Sequence, residues 1–394
     1  MRKIYLAIAL FFFSHLVQPN QDMALSDPVP SDSARLEPVF DLLEKAVRDG
    51  VAPGGVLAVG HKGRLLALHP FGHLTYDTDS PKVTPETVYD LASLTKVVAT
   101  TTAAMRLNER KLLDLELPIG QYLPEFLKGP DPEARHLITP WHLLTHSSGL
   151  PAYVQFFLDN TIKNRAQVLD KIYAQPLTYE PGTAAVYSDL GIILMSEILA
   201  RISDQPFETV IHNELILPLD LKNTRYNPPE SWHERIAPTE NGAGPRDYLI
   251  WGEVHDENTF LMGGVSGHAG LFSTAKDLSH FAQMLLNGGI YRQKQLLSPD
   301  TINHFTRRQD IPLSTRAIGW DTASRPPDRS SGGSYVSDNA FGHTGFTGTS
   351  IWIDPDKNLF IILLTNRVHP TRDNNEIRAL RPVVANTVFE ALGL

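Results

Sequence analysis

The 394-residue chain contains no cysteine. Disulfide frameworks, thiol nucleophiles and cysteine-ligated zinc are therefore excluded, as is lipid attachment through an N-terminal cysteine. Basic charge is also scarce: 35 Lys and Arg stand against 44 Asp and Glu, a formal net charge of -9. A nucleic-acid binder needs a basic footprint, so nucleic acid is not an expected partner. Long apolar runs are missing except at the N-terminus. There Arg2 and Lys3 precede an apolar run from Ile4 to Val17, broken only by Ser14 and His15. That run is short for a membrane span, and its layout is that of a secretory signal. No clean small-residue cleavage site follows it. Residues 1–24 are thus expected to be a signal peptide or an uncleaved anchor, the latter serving as a membrane tether. Either way the protein is expected to be exported, periplasmic or secreted. No internal repeat and no long low-complexity tract occur, and 42% hydrophobic residues suffice for a sizeable core.

What is present is patterned from both ends. Residues 20–33 are polar with prolines and read as a tether. The stretch 36-LEPVFDLLEKAVRDG puts apolar residues at helical spacing and closes on Gly50. Next, 54-GGVLAVGHKGRLLALHPFG gives two β-like runs around His61-Lys62-Gly63, a hairpin signal. A second hairpin is expected in 348-GTSIWIDPDKNLFIILLTN, around Asp354 to Asn358. Between about 105 and 290 helical patterns dominate, among them 140-PWHLLTHSS, 166-AQVLDKIYA, 189-DLGIILMSEILARIS and 275-AKDLSHFAQMLLNGG. Pro140 and Asp189 stand where helix starts favour proline and a capping side chain. The last segment, 376-EIRALRPVVANTVFEALGL, reads as a helix that Pro382 interrupts. The expected fold class is α+β: a sheet built by both chain ends, helices on its faces, and a mostly helical insertion. One domain is expected over 34–394, with a helical subdomain at roughly 105–290.

Three stretches carry chemistry. In 91-LASLTKVVATTTAAM, Ser93 and Lys96 are three apart and share a face if a helix begins there. A lysine held against a serine can act as the base that makes the hydroxyl a nucleophile. In 186-VYSDLG, a tyrosine precedes Asp189 at a helix start. A phenol beside an ammonium is driven toward phenolate and can relay protons. In 342-GHTGFTGTS, a glycine-rich strand edge offers backbone N–H groups to a ligand. His142 and His146 have the spacing of paired zinc ligands, but no Glu follows His142, so H-E-x-x-H fails. No metal and no other cofactor is expected. These two histidines are read instead as bracing the loop at Ser147-Ser148-Gly149.

The order SLTK, YSD, HTG, with LLTHSSGLP between the first two, resembles the penicillin-binding proteins and class C β-lactamases. It is also similar to the esterases and D-amino-acid peptidases that share their fold. The resemblance runs from about residue 36 to the end. It implies an antiparallel sheet flanked by helices, a helical domain and a site in the cleft between them. It implies that Ser93 is the acylated nucleophile, Lys96 its activating partner and Tyr187 the proton carrier. The backbone N–H groups of Ser93 and Phe346 would form the oxyanion hole, and a helix N-terminus at Ser93 suits developing negative charge. Asp189, His343, Thr344, Gly345 and His268 are the expected substrate-binding residues. The implied activity is that of a serine hydrolase on a small ester or a D-amino-acid-containing peptide, of D-alanyl-D-alanine carboxypeptidase or esterase type. A β-lactamase and a non-hydrolysing penicillin-binding sensor or scaffold are the alternatives.

Two positions depart from the family pattern: Asp189 stands for the usual Asn, and His343 for the usual Lys. An ionised Asp only accepts hydrogen bonds, whereas Asn also donates. A lysine offers fixed positive charge to a substrate carboxylate, and a histidine is neutral much of the time near pH 7. Both changes argue against an efficient β-lactamase, and Asp189 favours a substrate amine. Asp189 is open to two roles, helix cap or substrate contact. His255, Asp256 and His268, in glycine-rich segments, are open to pocket-lining or loop-bracing. Arg367 and Arg372 read as solvated surface arginines rather than as replacements for the missing lysine.

Overall fold

In the first hairpin, the two residues between His61 and Arg64 fix the turn. Lys62 and Gly63 both have positive φ, 50° and 76°, as a two-residue turn matched to strand twist requires. The strands it joins are β1 (Gly54–His61) and β2 (Arg64–Gly72). Four more strands complete the sheet: β3 (Asp321–Thr322), β4 (Phe341–Thr344), β5 (Ser350–Asp354) and β6 (Leu359–Thr365). Their order is β3-β4-β5-β6-β1-β2, and every neighbouring pair is antiparallel. The two chain ends meet where β1 pairs with β6, from Gly55 opposite Thr365 to His61 opposite Leu359. This computed structural model describes residues 25, 28, 33–312, 314–324 and 330–394. The expected signal or anchor at 1–24 lies outside the described residues.

Alternate side chains of the central strands face opposite sides, and both sides are covered. Leu57, Val59, Leu359, Ile361 and Leu363 face two helices, α1 (Glu37–Arg48) and the last helix of the chain, Ile377–Leu392. Val56, Ala58, Phe360, Ile362 and Leu364 face the rest of the protein, beginning with the helix Ala275–Leu286. Burial on both sides is why β6 reads as an unbroken apolar run rather than an alternating one.

The last helix runs through Pro382 without a break, contrary to the expected interruption. The proline removes one intrahelical bond, and burial of Leu380, Val384, Val388, Phe389 and Leu392 against the sheet holds the helix on both sides of it. Between Lys96 and Thr306 the described residues are mainly helices and connecting loops. Short strands occur within this stretch and just before it. Tyr89–Asp90, Leu271–Ser273 and Arg225–Tyr226 form a small sheet, and its first strand delivers the chain to Ser93.

Candidate active site

Directly after Tyr89–Asp90 the chain turns sharply. Ala92 takes the left-handed conformation, φ 46°, which is costly for a residue with a Cβ. The buried carboxylate of Asp90 holds it there: it accepts the N–H of Ala92 at 2.8 Å and that of His255 at 2.6 Å. Ser93 occupies the turn and helical structure begins at Leu94. From Lys96 to Thr101 the helix is widened to π geometry before continuing as Thr102–Glu109. Such widening is frequent at functional sites. Here the hydroxyls of Thr101 and Thr102 bond the carbonyls of Lys96 and Val97.

Lys96 is 1% exposed. Its Nζ lies 2.9 Å from Ser93 Oγ, 3.0 Å from the His268 carbonyl oxygen and 2.8 Å from Asp189 Oδ1. The first two contacts are hydrogen bonds and the third is an ion pair. Burial alone pulls the lysine's pKa down, but the Asp189 carboxylate and then Tyr187 outweigh it and raise it above the ordinary lysine value. The Tyr187 ring is 4.8 Å from Nζ. Burial raises the phenol, Lys96 and Ser93 pull it back, and the balance stays above the usual tyrosine value. Both shifts favour an ammonium beside a neutral phenol in the resting site.

The helix that carries Asp189 is α2 (Asp189–Ser203), and its cap is Ser188, not Asp189. Ser188 Oγ accepts the N–H of Gly191 at 3.2 Å and donates to the Pro151 carbonyl at 2.7 Å. Asp189, first in the helix, is thereby free to aim its side chain at Lys96. His146 also serves this segment, its Nδ1 accepting the N–H of Ser188 at 3.1 Å. His142 instead closes the helix Pro140–Leu144 through a capping box with Thr139. The two histidines brace different segments.

The opposite wall is β4 and the turn after it. His343 is 3% exposed and its ring lies 5.9 Å from that of Tyr187 between centroids, tilted by 34°. Burial, then Arg316 and Lys96, hold its pKa well below the usual histidine value. Neutral, it donates from Nδ1 to the Thr344 carbonyl at 2.8 Å. Thr344 and Gly345 line the same cavity. Gly345 is obligatory: a Cβ there would sit 2.0 Å from Thr349 Oγ1 and 2.5 Å from the Leu91 carbonyl. Two threonines tie this turn to the serine turn, Thr347 Oγ1 donating to the Asp90 carbonyl at 2.8 Å and Thr349 Oγ1 to that of Leu91 at 3.0 Å. The turns bearing Ser93 and Phe346 are thus locked together. Neither of those two N–H groups has a partner among the described residues.

The cavity between the walls has a volume of about 270 Å³, and both Ser93 and Tyr187 line it. Four arginines line it too: Arg316, Arg367, Arg378 and Arg381. Arg316 sits 5.1 Å from the Tyr187 ring and pairs with Asp321 at 3.1 Å. Arg378 is exposed at the rim, and its guanidinium has no partner among the described residues. The fixed positive charge that His343 does not supply is therefore present from other elements. Sequence reasoning missed Arg316, Arg378 and Arg381. The one readable signal was that Arg378 and Arg381 share a face of the last helix; Arg316 sits in an irregular stretch with no pattern.

Several expectations need correction. Arg367 is not a solvated surface residue: it is 3% exposed and donates to the carbonyls of Phe346, Arg372 and Asn374. Arg372 pairs with Glu240 at 2.6 Å and Glu257 at 2.7 Å. The His268 side chain does not reach the cavity. It is buried behind Lys96 against Asp256 Oδ1 at 2.9 Å and Ser266 Oγ at 2.8 Å, and only its carbonyl meets the site. His255 pairs with Glu240 at 2.9 Å, and Asp256 also caps the helix Glu257–Leu261, so both brace loops. A larger cavity of about 630 Å³, near Trp232 and His212, has no serine–lysine pair on its walls.

The Beta-lactamase family model matches residues 40–385. A protein of Bacillus subtilis (strain 168) named N-acetylmuramyl-L-alanine amidase is 35% identical over 389 residues, 92% of this chain and 87% of that one. A putative D-alanyl-D-alanine carboxypeptidase of Escherichia coli (strain K12) is 34% identical over 310 residues, 73% of this chain and 71% of the relative. Among solved structures, EstCE1, described as a hydrolase with promiscuous acyltransferase activity, superposes with a TM-score of 0.73 at 20% identity. The match covers 92% of this chain and 100% of that one. A penicillin-binding protein homologue from Caulobacter crescentus gives a TM-score of 0.69 at 20% identity, covering 93% and 99%. At that identity the structural likeness speaks for the fold.

Proposed function

The chain belongs to the beta-lactamase family and is a serine hydrolase, and we propose that it cleaves a D-amino-acid-containing peptide with a free C-terminal carboxylate, through an acyl-enzyme on Ser93. The observation that carries this reading is the pair of cations, Arg316 and Arg378, lining the cavity with Ser93. A guanidinium matches a carboxylate with two parallel N–H donors. The two curated relatives, named amidase and carboxypeptidase, support an amide substrate.

The chemistry follows from the resting protonation. With Lys96 an ammonium and Tyr187 a neutral phenol, no base faces Ser93. Loss of one proton from this pair creates the base, written either as neutral Lys96 or as phenolate. Ser93 Oγ then bonds the carbonyl carbon, and its proton passes to the Lys96–Tyr187 pair. The N–H groups of Ser93 and Phe346 take the developing oxyanion. Tyr187 returns the proton to the leaving amine as the C–N bond breaks. Water then enters, its oxygen bonds the acyl carbon as its proton passes to the same pair, and the pair returns that proton to Ser93 Oγ as the ester C–O bond breaks. Asp189 keeps the pair protonated to higher pH than an amide at that position would, so the working range lies on the alkaline side.

The direct comparison is kcat/KM for a peptide ending in D-Ala-D-Ala against its C-terminal amide. One charge-assisted contact is worth about 1.5–3 kcal/mol, roughly one to two decades, so the free carboxylate should win by at least tenfold. Equal turnover of the two contradicts the carboxylate reading. Faster turnover of p-nitrophenyl esters or of nitrocefin than of either peptide would instead favour the esterase or the β-lactamase alternative. Export is proposed from the basic-then-apolar layout of residues 2–17. Recovery of the protein from the cytoplasm alone would refute it. Among the described residues no helix is long and apolar enough to cross a membrane.

A further inference from the structure

Arg381 sits in the second turn of the last helix and is 8% exposed. Its Nη2 donates to two main-chain carbonyls, those of Gly345 at 2.7 Å and Thr349 at 2.8 Å. No carboxylate pairs with it among the described residues; the charged groups it feels are Arg367 and Arg378, both cations. A buried guanidinium without a counter-ion is expensive. Burial, then those two neighbours, lowers its pKa to about 9.

The carbonyl of Gly345 belongs to the same peptide unit as the N–H of Phe346. A cation bonded to the oxygen of a peptide draws electron density away from its nitrogen and strengthens the N–H as a donor, because linked hydrogen bonds polarise one another. We infer that Arg381 acts through the Gly345–Phe346 peptide as a positioning and polarising residue for the oxyanion hole, with the transition-state oxyanion as its missing counter-charge. This rests on the reading that the Phe346 N–H binds the oxyanion. The other donor differs: among the described residues the Ala92 carbonyl, which shares a peptide with the Ser93 N–H, accepts the neutral N–H of Thr95 at 3.0 Å and no cation.

A purely structural role for Arg381 is already covered by other contacts. The turn is closed by the Gly345 N–H on the Thr349 carbonyl at 2.7 Å, and it is anchored by Thr347, Thr349 and Arg367. The prediction is therefore specific. Arg381→Met should lower kcat for a neutral ester by roughly tenfold to a hundredfold, less than loss of a whole oxyanion donor, with KM little changed. Arg381→Lys, which keeps the charge, should recover part of the loss.

The deciding measurement is the infrared C=O stretch of the acyl-enzyme formed with a slowly hydrolysed neutral acyl donor. Weaker donation by Phe346 moves that band to higher wavenumber. The expected order is wild type lowest, Arg381→Lys next, Arg381→Met highest. A band at the wild-type position in both variants overturns the inference. If Arg381→Met does not fold, the neutral Arg381→Gln takes its place, and an unshifted band in that variant overturns the inference. Loss of turnover confined to carboxylate-bearing substrates overturns it as well, since Arg381 would then be a substrate ligand. Failure of the underlying reading looks different: no acyl-enzyme forms on Ser93 in the wild-type protein.

Discussion

The two walls of the cleft hold their chemistry differently. On the helical wall Ser93, Lys96, Tyr187 and Asp189 bring side chains together, and in the proposed mechanism they control where one proton sits. On the sheet wall the proposed reactive element is a peptide N–H, at Phe346, and the arginines around it donate to main-chain carbonyls. Substitutions on the helical wall should therefore change the pH dependence and the existence of the reaction. Those on the sheet wall should change its rate at constant pH dependence.

The largest contrast comes from deletion of the reacting groups. Ser93→Ala and Lys96→Ala should each lose several orders of magnitude in kcat, since members of a nucleophile–base unit fail together. His343→Ala, on the other wall, should lose far less. Steady-state kinetics on one p-nitrophenyl ester checks this, and equal losses at positions 96 and 343 would erase the distinction between the walls.

A sharper contrast lies in the pH profile. Asp189 raises the lysine's pKa, so Asp189→Asn should move the acid limb of kcat/KM to lower pH. The same pairing stabilises the fold. Because the folded pKa is raised, that contribution is complete below the unfolded lysine value of about 10.4 and fades as pH rises through the folded one. Arg381→Met should leave the acid limb in place. A profile unchanged by Asp189→Asn would remove Asp189 from the proton balance.

Substrate charge should respond at the rim. Arg378 is exposed, so solvent screening limits its contribution to under about 1 kcal/mol. Arg378→Gln should raise KM for a free-carboxylate peptide by up to about fivefold and leave a neutral ester alone. Equal effects on both substrates would show that the rim does not read the carboxylate.

The smallest effect separates neighbours in the sequence. Ser188→Ala removes the cap of α2 at a cost of about 1 kcal/mol, seen as a few degrees in thermal melting, with the pH profile intact. A shifted profile there would mean that Ser188, not Asp189 alone, sets the lysine.

What the sequence disclosed follows the same division. That Ser93 and Lys96 share one face was legible from their spacing of three, and Tyr187 was legible only as part of a tyrosine-Ser-Asp stretch that resembles a family motif. Both hairpins were legible from turn residues and β-rich runs. The sheet wall was not, because which carbonyl a buried arginine meets is decided by contacts between distant residues. Arg381 and Gly345 are 36 apart, and Arg367 looked like any surface arginine. Asp189 was misplaced as a possible cap because Ser and Asp cap equally well, and only the helix start one residue earlier decides between them. Pro382 reads as a break on local rules, which the apolar face against the sheet overrides.

The central claim is that Ser93 is the nucleophile, and covalent labelling tests it most directly. The protein is incubated with a fluorophosphonate, digested and read by mass spectrometry. The account predicts a single adduct on the peptide containing Ser93, absent in Ser93→Ala and formed faster as pH rises. A stoichiometric adduct on any other serine, or none on folded protein that hydrolyses its substrate, contradicts it.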